Sequence, residues 1–339
     1  MRKRNTYNKL EITRKRKEAE MKMKRRQTVL LLGLILVLVV GGISVYSVLA
    51  SKDKNEKVLA EEKDKNTTDN KKNNNKQNDN KNIEQDETSK RKLDNSGYLP
   101  LKDDPNADDA VEVAKRTSGL LKGELHYPVR NDGKKVVYLT FDDGPSTTNT
   151  PKVLNILKKH DIKATFFVTG KSIIASDESK ALLKQIANEG HAIGNHTYSH
   201  NYNYLYPSRT INVDNVISDL KKNDKLMKDI LGKDFYTRII RLPGGYRSWN
   251  GKENFKNKMK ELGIRNIDWN ALNGDAEGKK KNSKELVSYL KDSVNELGKD
   301  ADSIVVLMHD TYGKAETTKA LPEIIKYFKD KGFEFRTIK

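Results

Sequence analysis

Downstream of residue 135 the apolar positions follow two alternating rhythms. Short apolar runs read as buried strands: Lys135–Phe141, Ala164–Gly170, His191–His196, Thr237–Gly245, Ile264–Asn270, Ser303–Asp310 and Phe333–Ile338. Between them, apolar residues recur three and four apart, the helical spacing. A helix is expected from about Thr150, capped there, with Pro151 in its first turn and Val153, Leu154, Ile156 and Leu157 on its inner face. Further helices are expected over Glu178–Gly190, over a long stretch holding Ile211, Val216, Ile217, Leu220, Met227 and Ile230, and near Glu253–Leu262. The last two cover Ser283–Gly298 and about Glu316–Lys331, the latter bent or delayed by Pro322. Strand alternating with helix argues for an α/β domain with a mostly parallel sheet over 136–339. Periodicity alone leaves a small or incomplete barrel and a doubly wound sheet both open. Residues 98–135 read as a lead-in segment.

The first hundred residues differ in kind. Residues 51–97 are Lys, Asn, Asp and Glu with almost no large apolar side chains. Such a tract buries too little surface to offset chain entropy and is expected to be a disordered linker. Residues 28–50, TVLLLGLILVLVVGGISVYSVLA, hold no charge. At about 1.5 Å per residue they suffice for a transmembrane helix across a bilayer core of about 30 Å. The basic segment 1–27 then belongs in the cytoplasm and the domain outside. A cleaved signal peptide ending at Ala50, with secretion, is the alternative. The long basic lead and the long apolar run favour a single-pass anchor in the cell membrane.

Charge and cysteine count narrow the chemistry. The formal charge is +18, from 65 Lys and Arg against 47 Asp and Glu, which suits an anionic neighbour. Much of the N-terminal excess is a topology signal, so no nucleic acid is expected. Without cysteine, disulfides and thiolate metal sites are excluded, and any metal relies on His and carboxylate.

Polar residues gather where strands are expected to end. Asp142 and Asp143 close one, His196 and His200 follow another, Arg241 precedes Pro-Gly-Gly in a third, and His309–Asp310 ends a fourth. In parallel α/β folds that edge assembles active sites. His196 and His200 are four apart, so one helical turn would bring both imidazoles to one side. Asp143 is the natural third ligand, giving a His2Asp site with a position left for water, the catalytic rather than structural arrangement of zinc.

In order, TFDDGP, HTYSH, RLPGG and LMH resemble the polysaccharide deacetylases of carbohydrate esterase family four, over roughly Val136 to the C-terminus. The resemblance implies a distorted, incomplete (β/α) barrel and a divalent metal, usually zinc, with Co2+ or Mn2+ as alternatives. It implies hydrolysis of N-acetyl groups on a polymeric amino sugar. Carried over by position, Asp142 resembles the general base, Asp143, His196 and His200 the metal ligands, and Arg241 the arginine that holds the base. The backbone around Gly244 is the expected oxyanion donor. Many relatives carry Tyr there, so that ring is lost, with Tyr246 close by. Leu307 resembles the acetyl-pocket residue, His309 the general acid, and Trp269 part of the groove wall. Asp275, six residues after Trp269, is the expected partner of His309, and Asp268 is its rival; Ala276 stands where relatives have a second Trp.

An anchor, a tether and a cationic outer domain suggest an enzyme of a Gram-positive cell wall. Peptidoglycan N-acetylglucosamine is the first expected substrate, ahead of N-acetylmuramic acid, poly-N-acetylglucosamine and chitin oligomers. A non-catalytic glycan-binding module would be expected to have lost a ligand or the base, and each is present. Oligomeric state is not legible.

Overall fold

A computed structural model of the chain describes residues 98–122, 124–125 and 129–339. The segments expected as cytoplasmic, transmembrane and linker lie outside the described residues. Among the described residues no helix is long and apolar enough to cross a membrane.

In chain order the domain comprises β1 (Ala107–Asp108), α1 (Ala110–Lys122), β2 (Val136–Asp142), α2 (Thr150–Lys159), β3 (Thr165–Val168), α3 (Asp177–Asn188), β4 (Ala192–Asn195) and α4 (Val213–Leu231). There follow β5 (Ile239–Ile240), α5 (Lys252–Glu261), β6 (Arg265–Asn266), β7 (Ala271–Leu272), α6 (Ser283–Asn295), β8 (Ser303–His309), α7 (Ala315–Asp330), β9 (Glu334–Phe335) and β10 (Thr337–Ile338). Most helices sit where the periodicity puts them. The α2 N-cap is Asn149, one residue earlier than expected, and α7 runs through Pro322. α6 begins with a capping box, Asn282 with Glu285, which satisfies two otherwise orphaned amides.

The main sheet is parallel, in the order β6-β5-β4-β3-β2-β8-β7, with β9 added beside the first half of β2. Its two edge strands, β6 and β7, are consecutive in the chain, joined by residues 267–270. A link that short spans at most about 17 Å. The sheet must therefore curl until its edges nearly meet, yet β6 and β7 do not pair. This is an incomplete (β/α) barrel, and a flat doubly wound sheet is excluded.

Strand alternation sorts side chains between the inside and the outside of the curl. On β2, Val137, Leu139 and Phe141 point outward into a core shared with the surrounding helices. Val136 and Tyr138 point inward, with Phe167, Ile239, Ile267 and Val305. The lead-in segment contributes to this core. Ala110 and Val113 of α1 pack into the inner cluster, and the Tyr98 hydroxyl accepts the amide of Ile193. By the same alternation Thr140 and Asp142 face inward on β2, as do Leu307 and His309 on β8. The polar residues thus fall inside the curl, at the carboxyl end of its strands.

Candidate active site

Asp142 is the last residue of β2 and is 3% exposed. Its Oδ1 accepts a hydrogen bond of 2.7 Å from Nη1 of Arg241, which follows β5 and is fully buried. Arg241 also donates to Thr140 Oγ1 at 2.7 Å and to the Ile267 carbonyl at 2.7 Å. Its guanidinium lies 4.1 Å from the centre of the Phe167 ring and 5.5 Å from that of Trp269. A buried cation tolerates such a site because a carboxylate, two oxygens and two π faces replace water.

Alternation alone would turn Asp143 outward, away from Asp142. Its backbone is left-handed, φ 70°, which aspartate tolerates better than most residues, and this brings its carboxylate back to the same cavity. There Asp143 Oδ1 lies 3.3 Å from His196 Nε2 and 3.1 Å from His200 Nε2.

The two histidines meet by a different device from the one expected. Residues 196–200 form a bend, not a helical turn, with Thr197 at φ 68° and His200 at φ 50°. Left-handed backbone is costly, most of all for β-branched Thr197, and needs support. Asn195 Oδ1 accepts the Thr197 amide at 2.9 Å, and Thr197 Oγ1 accepts that of His200 at 3.2 Å. Asp219 Oδ2, from α4, accepts both the amide and the hydroxyl of Ser199, at 2.8 and 3.0 Å. The imidazole centres end 5.1 Å apart.

These residues fit a cation. The candidate ligand atoms of Asp143, His196 and His200 lie within 4.8 Å of one another. Asp143 Oδ1 is buried without a hydrogen-bond partner, an unmet polar group of the kind a cation satisfies. His196 Nδ1 lies 2.6 Å from the Arg241 carbonyl, which only accepts, so Nδ1 carries the proton and Nε2 keeps its lone pair for a metal. Burial opposes ionisation of Asp143, but when the metal-free imidazoles are protonated their hydrogen bonds, with the charge of His200 and His309, outweigh it and hold the carboxyl well below the usual range.

On the other side, His309 ends β8, its Nε2 4.0 Å from Asp143 Oδ2. Its Nδ1 lies 2.8 Å from Asp275 Oδ1, and its amide donates to Asp275 Oδ2 at 2.9 Å. Thr317 Oγ1 donates to the same Oδ2 at 2.7 Å. Burial alone would lower the His309 pKa. The charge and hydrogen bond of Asp275 outweigh burial, with help from Asp143 and Asp142, and raise it to about 9. Asp268 has no part in this pair: its Oδ1 accepts the Tyr246 amide and the Asn266 side chain.

Gly244 and Gly245 follow Arg241 with φ 75° and 80°. Both need to be glycine, and a Cβ on Gly245 would stand 2.8 Å from the Trp269 ring. Among the described residues no group accepts the Gly244 N–H, whereas Gly245 N–H is bonded to the Leu242 carbonyl. Trp269 thus backs the Gly-Gly turn, and Leu307, 6% exposed, lines the inner face beside Thr140. Tyr246 is directed elsewhere. Its hydroxyl donates to the Lys252 carbonyl at 3.0 Å and its ring packs near Phe255. The aromatics beside Gly244 are instead Trp249 and Tyr202: a Gly244 Cβ would stand 3.0 Å from the Trp249 ring and 3.3 Å from the Tyr202 hydroxyl. No motif marked Tyr202 or Asp219 in the sequence. Their roles depend on where α4 and the bend lie in space.

A curled parallel α/β sheet with an Asp-His-His cluster, an Arg-held aspartate and a His–Asp pair at its carboxyl edge defines a hydrolase of the polysaccharide deacetylase class. The polysaccharide deacetylase family model matches residues 129–267. A peptidoglycan-N-acetylglucosamine deacetylase of Bacillus cereus is 35% identical over 211 residues, 61% of this chain and 71% of the relative. The chain belongs to the polysaccharide deacetylases, carbohydrate esterase family four, hydrolases acting on N-acetyl amide bonds. A solved Streptococcus mutans esterase of that family is 34% identical, with a TM-score of 0.63, covering 72% of this chain and all of the other. The catalytic domain of a peptidoglycan N-acetylglucosamine deacetylase from Eubacterium rectale gives a TM-score of 0.52 at 28% identity, covering 64% of this chain and 94% of the other.

Proposed function

We propose that the protein removes acetyl groups from N-acetylglucosamine in peptidoglycan, releasing acetate and leaving a free amine on the glycan. The observation that carries this reading is the arrangement around Asp143. Arg241-held Asp142 has Oδ2 3.7 Å from His196 Nε2, and Asp275-held His309 has Nε2 4.0 Å from Asp143 Oδ2, so both border the Asp143–His196–His200 cluster. Peptidoglycan is favoured among amino-sugar polymers because the Bacillus cereus and Eubacterium rectale relatives bear that activity in their names.

In this reading Asp143, His196 and His200 hold a divalent cation, zinc by the His2Asp donor set. When bound, it polarises the acetyl carbonyl and makes water more acidic. Asp142 Oδ2 accepts the proton of the attacking water while Arg241 fixes the other carboxylate oxygen. The Gly244 N–H, left without an acceptor in the fold, donates to the developing oxyanion. Leu307 packs against the acetyl methyl. His309 Nε2 delivers its proton to the departing nitrogen, and Asp275 on Nδ1 stabilises the imidazolium beforehand. The C–N bond breaks, and acetate and the amine leave.

What supports a cell-surface enzyme is the sequence ahead of the domain: a basic segment, an apolar run and a polar tether. The test is acetate release by the full-length protein from peptidoglycan, chitin oligomers and poly-N-acetylglucosamine, with and without a chelator. Chelator-sensitive release, fastest on peptidoglycan, is expected. No release from any of the three sinks the reading.

A further inference from the structure

Tyr202 opens a one-turn helix, Tyr202–Leu205, two residues after His200. Its ring lies between two fixed neighbours, with centres 5.3 Å from His200 and 5.3 Å from Trp249. Trp249 is itself 7% exposed, stacked on Tyr206 at 4.0 Å and tied by its indole N–H to the Pro243 carbonyl at 2.9 Å. Tyr202 is therefore packed between a buried indole and a partly exposed imidazole, yet it is itself 39% exposed. Its hydroxyl stands next to Gly244, and a Cβ at 244 would meet that hydroxyl at 3.3 Å and Trp249 at 3.0 Å. The space in which a side chain at 244 would begin is thus bounded by the Trp249 ring and by a phenol from another loop. Among the described residues that hydroxyl has no hydrogen-bond partner.

An exposed phenol fixed by its neighbours donates a hydrogen bond at little cost in side-chain freedom. Here it borders a metal-ligand candidate and the unused Gly244 N–H. A sugar whose acetyl group enters that space brings ring hydroxyls along the same wall. We propose that Tyr202 is a substrate-binding residue, its hydroxyl donating to an oxygen of the bound amino sugar in place of a side chain at position 244. This rests on the deacetylase reading above.

The experiment compares full-length, zinc-loaded wild type with Tyr202→Phe, which keeps the ring between His200 and Trp249. Tyr204→Phe, a neighbour of similar exposure, is the control. Losing one hydrogen bond to a neutral oxygen is expected to raise KM for N-acetylglucosamine oligomers about three- to tenfold and to weaken their binding equally. The kcat should change less than about twofold, because the bond is made to the bound sugar and not to the reacting carbonyl. Zinc content and melting temperature should stay at wild-type values, and Tyr204→Phe should leave KM unchanged. An active wild type with unaltered KM and affinity in Tyr202→Phe overturns this proposal alone. A wild type that neither binds nor deacetylates any amino-sugar polymer overturns the deacetylase reading and this proposal together.

Discussion

Asp142 and His309 are register partners on adjacent parallel strands, and both side chains face the inside of the curled sheet. Register partners on neighbouring strands stand only about 5 Å apart, so the proposed base and acid are close enough to act on one bond. Their roles are divided by what lies behind each. Asp142 is backed by a buried guanidinium that takes one carboxylate oxygen, and His309 by a carboxylate that takes Nδ1.

Asp142→Asn tests the base. The amide oxygen still accepts from Arg241, so the fold and the cation cluster should survive, but the amide takes no proton from water. Deacetylation is expected to fall about 10²–10⁴-fold. Zinc affinity, read by calorimetric titration, should stay within about threefold because Asp142 is not a proposed ligand. Full turnover with zinc bound would remove Asp142 from the mechanism.

Asp275→Asn tests the origin of the His309 charge. With Asp275 the imidazolium persists to about pH 9. Without that charge the pKa should drop toward or below the usual value of about 6.5, because burial then acts with little opposition. The fraction of protonated acid at pH 8 falls accordingly, and the alkaline limb of kcat/KM should shift to lower pH. Titration of the His309 ring protons by NMR in the metal-free protein gives the number directly. A pKa unchanged from wild type would assign the shift to Asp143 and Asp142 instead.

How much of this was legible in the sequence follows from what each feature depends on. Strand order and barrel curvature are set by long-range pairing, whereas the alternation of elements is local, so periodicity gave the elements, the family resemblance alone gave the incomplete barrel, and the unpaired β6 and β7 bear it out. Asp142 and His309 stood out because polar residues at the ends of apolar strands are conspicuous. The spacing of His196 and His200 pointed to the right pair for the wrong reason: left-handed residues, not a helical turn, join them. Tyr246 was the nearer aromatic to Gly244 in sequence, but the turn after Gly245 sends it toward Phe255, and Tyr202 arrives from a separate loop. Asp275 was expected as the partner of His309 from its spacing after Trp269, with Asp268 as the rival, and the hydrogen bonds to His309 bear out Asp275.

Asp219→Ala tests whether the 196–200 bend is what makes the cation site. Asp219 touches neither imidazole; it holds the amide and hydroxyl of Ser199. Removing those bonds frees a backbone that is strained at Thr197 and His200. Zinc affinity should fall about 10–100-fold, the range for lost outer-shell support. The effect on kcat at saturating zinc should be smaller. Unchanged zinc affinity would show that Asn195 and Thr197 hold the bend without help.

His191 predicts how the fold responds to acid. It is 1% exposed, accepts the Ala164 amide on Nδ1 at 3.1 Å, and leaves Nε2 without a hydrogen bond. Burial lowers its pKa, more than Glu189 restores. The sign follows from proton counting. Below about pH 6.5 the unfolded chain binds a proton on this imidazole that the folded chain refuses, so stability falls with pH, by at most about 1.4 kcal/mol per unit. His309 works in a separate window, because its raised pKa stabilises the fold fully below about 6.5 and loses that contribution as pH rises through about 9. Glu189, with a lowered pKa, loses its contribution only as pH falls below the ordinary carboxylate range. Asp310, whose carboxyl is raised by burial to about 7, acts between pH 5 and 6.5 with the opposite sign, so His191 is isolated by comparing urea midpoints of the metal-free wild type and His191→Gln across that interval. As pH falls across that interval the wild type should lose stability relative to His191→Gln, which is uncharged at this position throughout, even if the variant begins less stable. An equal slope in both proteins would place the acid sensitivity elsewhere.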